Sequence, residues 1–132
     1  MREVRAMQAL CGNTITPTAS DTSAHQQCPF LVQFLGFWEY RDKIYIQMSF
    51  EEKGTLQQLI KSNFFPDESV LRVLYATSAA LAYMHGPPHS LVHLDIKPSN
   101  LLVTKQGGLR LCDFGKTVPI NSPTDDDEGD TR

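Results

Sequence analysis

Cysteine is scarce in this 132-residue sequence, where Cys11, Cys28 and Cys112 make an odd number at irregular spacing. That pattern suggests neither a disulfide framework nor a zinc site, and a reducing intracellular compartment suits it best. Long apolar runs are missing too: Arg, Glu, Lys, Asp or Gln interrupts every stretch before the roughly 20 residues of a membrane span. The opening residues Met1-Arg2-Glu3-Val4-Arg5 put charges where a secretory signal would carry its apolar segment. Positive charge is not in excess either, since 12 Lys and Arg stand against 15 Asp and Glu, for a net charge of -3. Electrostatics therefore gives no reason to expect nucleic acid or an anionic membrane as the main partner.

What is present is the composition of a folded domain, 41% hydrophobic and 20% charged, which excludes disorder throughout. The length suits one core and is short for an enzyme of two lobes. Residues 2–10 are rich in helix formers, with Val4, Met7 and Leu10 at helical spacing. From 11 to 27 Thr, Ser, Asn, Pro and Asp dominate, as in a surface loop. Two strand-like runs, 30–38 and 43–50, flank the polar turn Glu39-Tyr40-Arg41-Asp42. After a polar linker at 51–54, Thr55 opens a short amphipathic stretch. Pro66-Asp67-Glu68-Ser69 starts a helix that runs to about His85, with Val70, Leu74, Leu81 and Met84 as its apolar stripe and Gly86-Pro87-Pro88 as its stop. Gly107-Gly108 is a tight turn between the strands 101–103 and 109–111. The end of the chain is loop-like, with five acids between Asp125 and Asp130, and is read as a solvated segment. The fold class is α+β.

Phosphoryl transfer from ATP requires a carboxylate beside the attacking hydroxyl and a second carboxylate holding Mg²⁺ against the phosphates. A neutral oxygen donor serves another metal ion, and a cation offsets charge on the transferred group. The segment His93-Leu94-Asp95-Ile96-Lys97-Pro98-Ser99-Asn100 supplies Asp95, Lys97 and Asn100, and Asp113-Phe114-Gly115 supplies a carboxylate eighteen residues beyond Asp95 (113 − 95). The glycine turn between them lets the chain run out and back, returning Asp113 towards the loop. Each short motif alone is a common turn. Together, in this order and spacing, they match the signature H-R-D-L-x-x-x-N followed by D-F-G, and the chain resembles the eukaryotic protein kinases.

The resemblance implies a partial protein-kinase-like fold: the end of the N-lobe (1–50, with a polar insertion at 11–27), a hinge at 51–54, the start of the C-lobe (55–118) and an activation segment (119–132). It implies that Asp95 accepts the hydroxyl proton, that Asn100 and Asp113 hold Mg²⁺, and that Lys97 lies near the transferred phosphoryl. Glu3 falls where the family's first helix carries the Glu that pairs with a strand lysine. Cys28-Pro29-Phe30-Leu31-Val32 resembles the entry to the fourth strand. Met48 falls at the gatekeeper position, Ser49, Phe50 and Glu51 at the hinge that binds adenine through its backbone, and Leu102 at the apolar floor under adenine. Met7, Phe34, His93 and Phe114 fall on the family's stacked hydrophobic column. Cys112 is implied to face the nucleotide pocket, although a small buried apolar residue is the plainer reading.

Leu94 stands where many kinases carry the arginine that receives an activation-loop phosphate, which argues against that mode of switching. Ser90 to Asn100, Arg2-Glu3-Val4, Ile44-Tyr45-Ile46-Gln47 and the acidic end resemble the Wee-type kinases, inhibitors of cyclin-dependent kinases. A protein substrate is implied, a cyclin-dependent kinase among the candidates, with nucleus or cytoplasm as the place. Lys97 after Asp95 is a serine/threonine pattern that Wee-type enzymes share while phosphorylating tyrosine, so the acceptor residue stays open. Only Met1 and Arg2 precede Glu3, so the glycine-rich loop and strand lysine are not among these residues, nor is an Ala-Pro-Glu segment. The 132 residues alone are expected to be weakly stable and to transfer phosphate negligibly. The alternative to an enzyme is a truncated, catalytically inactive kinase-like interaction module.

Overall fold

The computed structural model describes residues 2–11, 27–62 and 66–121. The loop expected at 11–27, apart from its first and last residues, and the acidic run at 125–130 lie outside them. Helix α1 spans Arg2–Cys11 and buries Val4, Met7 and Leu10, the three residues whose spacing predicts it, together with Ala6. Strands β1 (Phe34–Tyr40) and β2 (Lys43–Met48) pair antiparallel, with Tyr40 opposite Lys43. The turn is tighter than the four polar residues expected. Arg41 and Asp42 alone make it, both at positive φ (49° and 59°), the conformation that matches the twist of a two-residue hairpin.

Residues 30–32 do not extend this hairpin. Val32 N–H donates to Leu111 O at 2.9 Å and Leu111 N–H donates to Phe30 O at 2.8 Å, so the segment runs beside the strand Leu109–Leu111 instead. An irregularity between Phe34 and Gly36 separates the two pairings. It leaves Phe34 buried and Leu35 turned to solvent.

Helix α2 (Leu56–Lys61) begins in a capping box: Thr55 Oγ1 accepts from Gln58 N–H at 3.2 Å, and Gln58 Oε1 accepts from Thr55 N–H at 2.8 Å. Helix α3 covers Ser69–His85 after the turn at Pro66-Asp67-Glu68, and Gly86 closes it by donating to Ala82 O. Its apolar face keeps Leu81 and Met84 of the predicted stripe but not Val70 and Leu74. Ala76, Ala80 and Met84 are buried, while Val70 and Leu74 face solvent. Small residues let α3 approach the strand Leu109–Leu111 closely, and that approach, rather than side-chain size, selects the buried face.

The remaining elements form the floor of the site. Strands β4 (Leu101–Val103) and β5 (Leu109–Leu111) pair antiparallel, burying Leu101, Val103, Leu109 and Leu111 on one face and placing Leu102 and Arg110 on the other. Gly107 at φ 80° permits their turn. Strand β3 (Leu91–Val92) precedes the catalytic segment, and β6 (Val118–Pro119) returns to pair with it.

Candidate active site

The hairpin of β4 and β5 does what the glycine turn suggests. Asn100 ends a short 3₁₀ turn (Pro98–Asn100) just before β4, and Cys112 follows β5. Cys112 N–H donates to Asn100 O at 2.9 Å, so Asp113 comes back beside the catalytic segment. Leu94 and Asp113 both sit at positive φ (61° and 65°), an uncommon backbone state for residues with a Cβ. Such strain persists where the surroundings over-determine it, and here it flanks the two carboxylates that matter.

His93 is the scaffold. It is fully buried, and its ring stands edge-on to Phe114 at 5.4 Å. Nε2 lies 3.1 Å from Cys112 O. A carbonyl only accepts, so Nε2 carries the proton and Nδ1 is free to accept from Asp95 N–H at 3.2 Å. One neutral ring thus ties the segment after β5 to the backbone of Asp95. Burial lowers its pKa below the usual histidine value, the hydrogen bond to Cys112 opposing. Met7 and Phe34 are buried as well, so all four expected column positions lie inside.

Around Asp95 the side chains converge. Lys97 Nζ meets Oδ2 at 2.7 Å, and Asn100 Nδ2 donates both to Oδ2 at 3.1 Å and to the Asp95 carbonyl at 2.9 Å. Lys116, not singled out in the sequence, places its Nζ 3.1 Å from Oδ1. These partners hold the Asp95 carboxyl down at about 2, Lys97 first and Lys116 second, and Asp95 in turn raises Lys97.

Asn100 spends its amide N–H groups on Asp95, which leaves its amide oxygen for a hard cation. Asp113 is exposed, and among the described residues it accepts a 3.4 Å contact from Gly115 N–H. Among the described residues no three His, Cys, Asp or Glu side chains form a metal cage. One carboxylate and one amide oxygen suit Mg²⁺, which keeps waters and takes its other ligands from phosphate. The donor set fits the group.

Glu3 on α1 reaches the same place from the far side. Burial raises its pKa, the charge of Asp113 adds to this, and a hydrogen bond from the Phe114 backbone opposes. The expected hinge residues leave the end of β2: Met48 is partly exposed, Phe50 is 85% exposed, and Ser49 N–H donates to Gln33 O at 2.8 Å. Glu51 points away from solvent, with its Oε1 2.6 Å from Arg110 Nη1 and 3.3 Å from Ser49 Oγ. Its side chain is committed to β5. Leu102 is half-buried on the Arg110 face of β4, next to Thr55. Cys112 is half-buried, and burial pushes its thiol up to about 11, which keeps it protonated at neutral pH. Arg110 and Lys116 are the participants that sequence reasoning missed. Lys116 directly follows Asp113-Phe114-Gly115, which was its one visible signal.

A profile of the protein kinase domain matches residues 14–130. The chain belongs to the protein kinase family. This kinase chain is 36% identical over 106 residues to the mitosis inhibitor protein kinase mik1 of Schizosaccharomyces pombe, covering 76% of the chain and 18% of that protein. It is 29% identical over 109 residues to the mitosis inhibitor protein kinase SWE1 of Saccharomyces cerevisiae, covering 76% of the chain and 13% of that protein. To the MAP kinase kinase kinase wis4 of Schizosaccharomyces pombe it is 36% identical over 98 residues, 74% of the chain and 7% of that protein. The two mitosis inhibitor kinases agree with the Wee-type resemblance, and all three relatives are far longer than the span they share with this kinase.

Proposed function

We propose that this chain carries the catalytic centre of an ATP-dependent protein kinase of the Wee type, acting on a protein hydroxyl, with the tyrosine of a cyclin-dependent kinase as the favoured acceptor. The observation that carries this reading is the convergence of Lys97, Asn100 and the buried His93 on Asp95, with Asp113 returned beside them. A site with no phosphate to transfer has no need of that set. Mg²⁺, held by Asp113 and Asn100, supplies charge neutralisation at the phosphates when bound.

Asp95 is ionised at neutral pH and offers its outer oxygen to the proton of an acceptor hydroxyl. A carboxylate held this low is a weak proton acceptor, so its first task is orientation of the hydroxyl, with proton uptake late. Lys97 steadies Asp95 and keeps a positive charge beside the transferred group. His93 fixes the backbone of Asp95 without charge of its own. Nuclear or cytoplasmic action accompanies the Wee-type reading.

ATP binding tests the site independently of turnover. Binding is expected to require Mg²⁺, to weaken tenfold or more in Asp113→Ala, and to persist in Asp95→Asn. Whatever incorporation of labelled phosphate into an acceptor protein stands above background is expected to depend on Asp95 and to be lost in Asp95→Asn. Incorporation that survives this change overturns the assignment. The second reading, an interaction module without catalysis, draws support from the exposed apolar face of α3, and Mg²⁺-independent binding of ATP would favour it.

A further inference from the structure

Lys116 reaches Asp95 because the chain holds it there. Thr117 N–H donates to Phe114 O at 3.0 Å, and Val118 then pairs with Val92, three residues before Asp95. The backbone on both sides of Lys116 is therefore tied to the elements that carry the two carboxylates. The lysine itself is free to move, with a side chain 65% exposed and Asp95 as its ion-pair partner among the described residues.

Lone pairs decide what this means. A carboxylate oxygen accepts about two hydrogen bonds. Oδ2 of Asp95 has two, from Lys97 and Asn100, whereas Oδ1 has one, from Lys116. An acceptor hydroxyl must take the outer oxygen. Two donors on one oxygen, each about 3 Å away, lie on the order of 4–5 Å apart. The hydroxyl therefore arrives beside the ammonium or in its place. An exposed pair of this kind is weakly held, so displacement is easy. Among the described residues the displaced cation has few other partners. The kinase reading assigns Asp113 to Mg²⁺, and Glu3 accepts from the Phe114 backbone.

We propose that Lys116 is a specificity-determining residue of the acceptor site: it holds Oδ1 of Asp95 until an acceptor hydroxyl enters, then pairs with an acidic side chain flanking that hydroxyl. The inference rests on the kinase reading for the identity of the entering group. It selects acidic peptides and disfavours basic ones, which Lys97 and Lys116 repel together.

The test uses two tyrosine peptides differing only by Asp or Asn beside the acceptor, titrated with the chain and a non-hydrolysable ATP analogue with Mg²⁺. The Asp peptide is expected to bind about five- to tenfold more tightly, with the preference shrinking at high salt. Lys116→Met removes the preference, and Lys116→Glu transfers it to a peptide with Lys at the same place. Both variants change an exposed side chain, and an unchanged thermal transition confirms that they fold. A preference that persists in Lys116→Met overturns the proposal, and so does equal or absent binding of both peptides by the parent chain. Asp95-dependent phosphate incorporation without a Lys116-dependent preference removes this inference alone. The preference without any Mg²⁺-dependent binding of the ATP analogue removes the kinase reading and leaves the acidic-peptide site.

Discussion

At the scale of single residues, His93 shows how a neutral ring sets a charged site. Its Nε2–H is committed to Cys112 O and its Nδ1 to Asp95 N–H, so protonating Nδ1 would set two donors against each other. Its folded pKa lies below the ordinary 6.5, so the unfolded chain binds more protons than the folded one between the two values. Stability from this ring is complete above about 6.5 and is lost as pH falls through the folded pKa. Glu3 works in the opposite sense, because its carboxyl is raised and the folded chain takes up its proton first. The expected outcome is a lower urea midpoint at pH 5.5 than at pH 7.5, with a smaller drop in His93→Gln. Equal drops in both proteins would place the titration elsewhere.

Between elements, Glu51 and Arg110 form the ion pair among the described residues that does not involve Asp95. It joins the residues after β2 to β5, whose chain continues directly to Asp113. Glu51 is almost wholly buried and Arg110 largely so, which makes a lone survivor costly. Arg110→Met is expected to lower stability by about 2–3 kcal/mol in urea unfolding. Combined with Glu51→Met it should cost less than the two single changes added together. Strict additivity would mean that the contact carries no coupling. Neither residue was legible as a partner in the sequence. Their separation by 59 positions gives no local signal, and only the register of Leu102 opposite Arg110 brings the guanidinium to the linker.

Over the whole molecule, the balance of buried and exposed surface matters most. Leu71, Leu74 and Tyr75 on α3 are 73%, 58% and 69% exposed, and Leu71 and Tyr75 with Phe30 line a groove of about 500 Å³. A contiguous apolar face of this kind favours association. The chain is expected to unfold with a midpoint below about 45 °C and to aggregate on warming. Leu71→Gln with Leu74→Gln should slow aggregation and move the urea midpoint little, since both side chains are largely in water already. A sharp transition well above that temperature would contradict the expectation of weak stability.

The sequence by itself determined the chemistry-bearing order of Asp95, Lys97, Asn100 and Asp113 and the hairpin that reunites them. Those features are local: a glycine turn, two-residue alternation and fixed short spacings act over a few residues whatever surrounds them. It also determined that Val4, Met7 and Leu10 of α1 turn inward, because one helix with one stripe leaves a single choice. The tertiary structure decided the rest. On α3, period alone could not tell the large residues Val70 and Leu74 from the small ones, and contact with β5 chose Ala76 and Ala80. Around Asp95, the pairing of Val92 with Val118 decided that Lys116 joins Lys97. A contact between distant residues depends on where packing puts both backbones, and no spacing along the chain encodes that by itself.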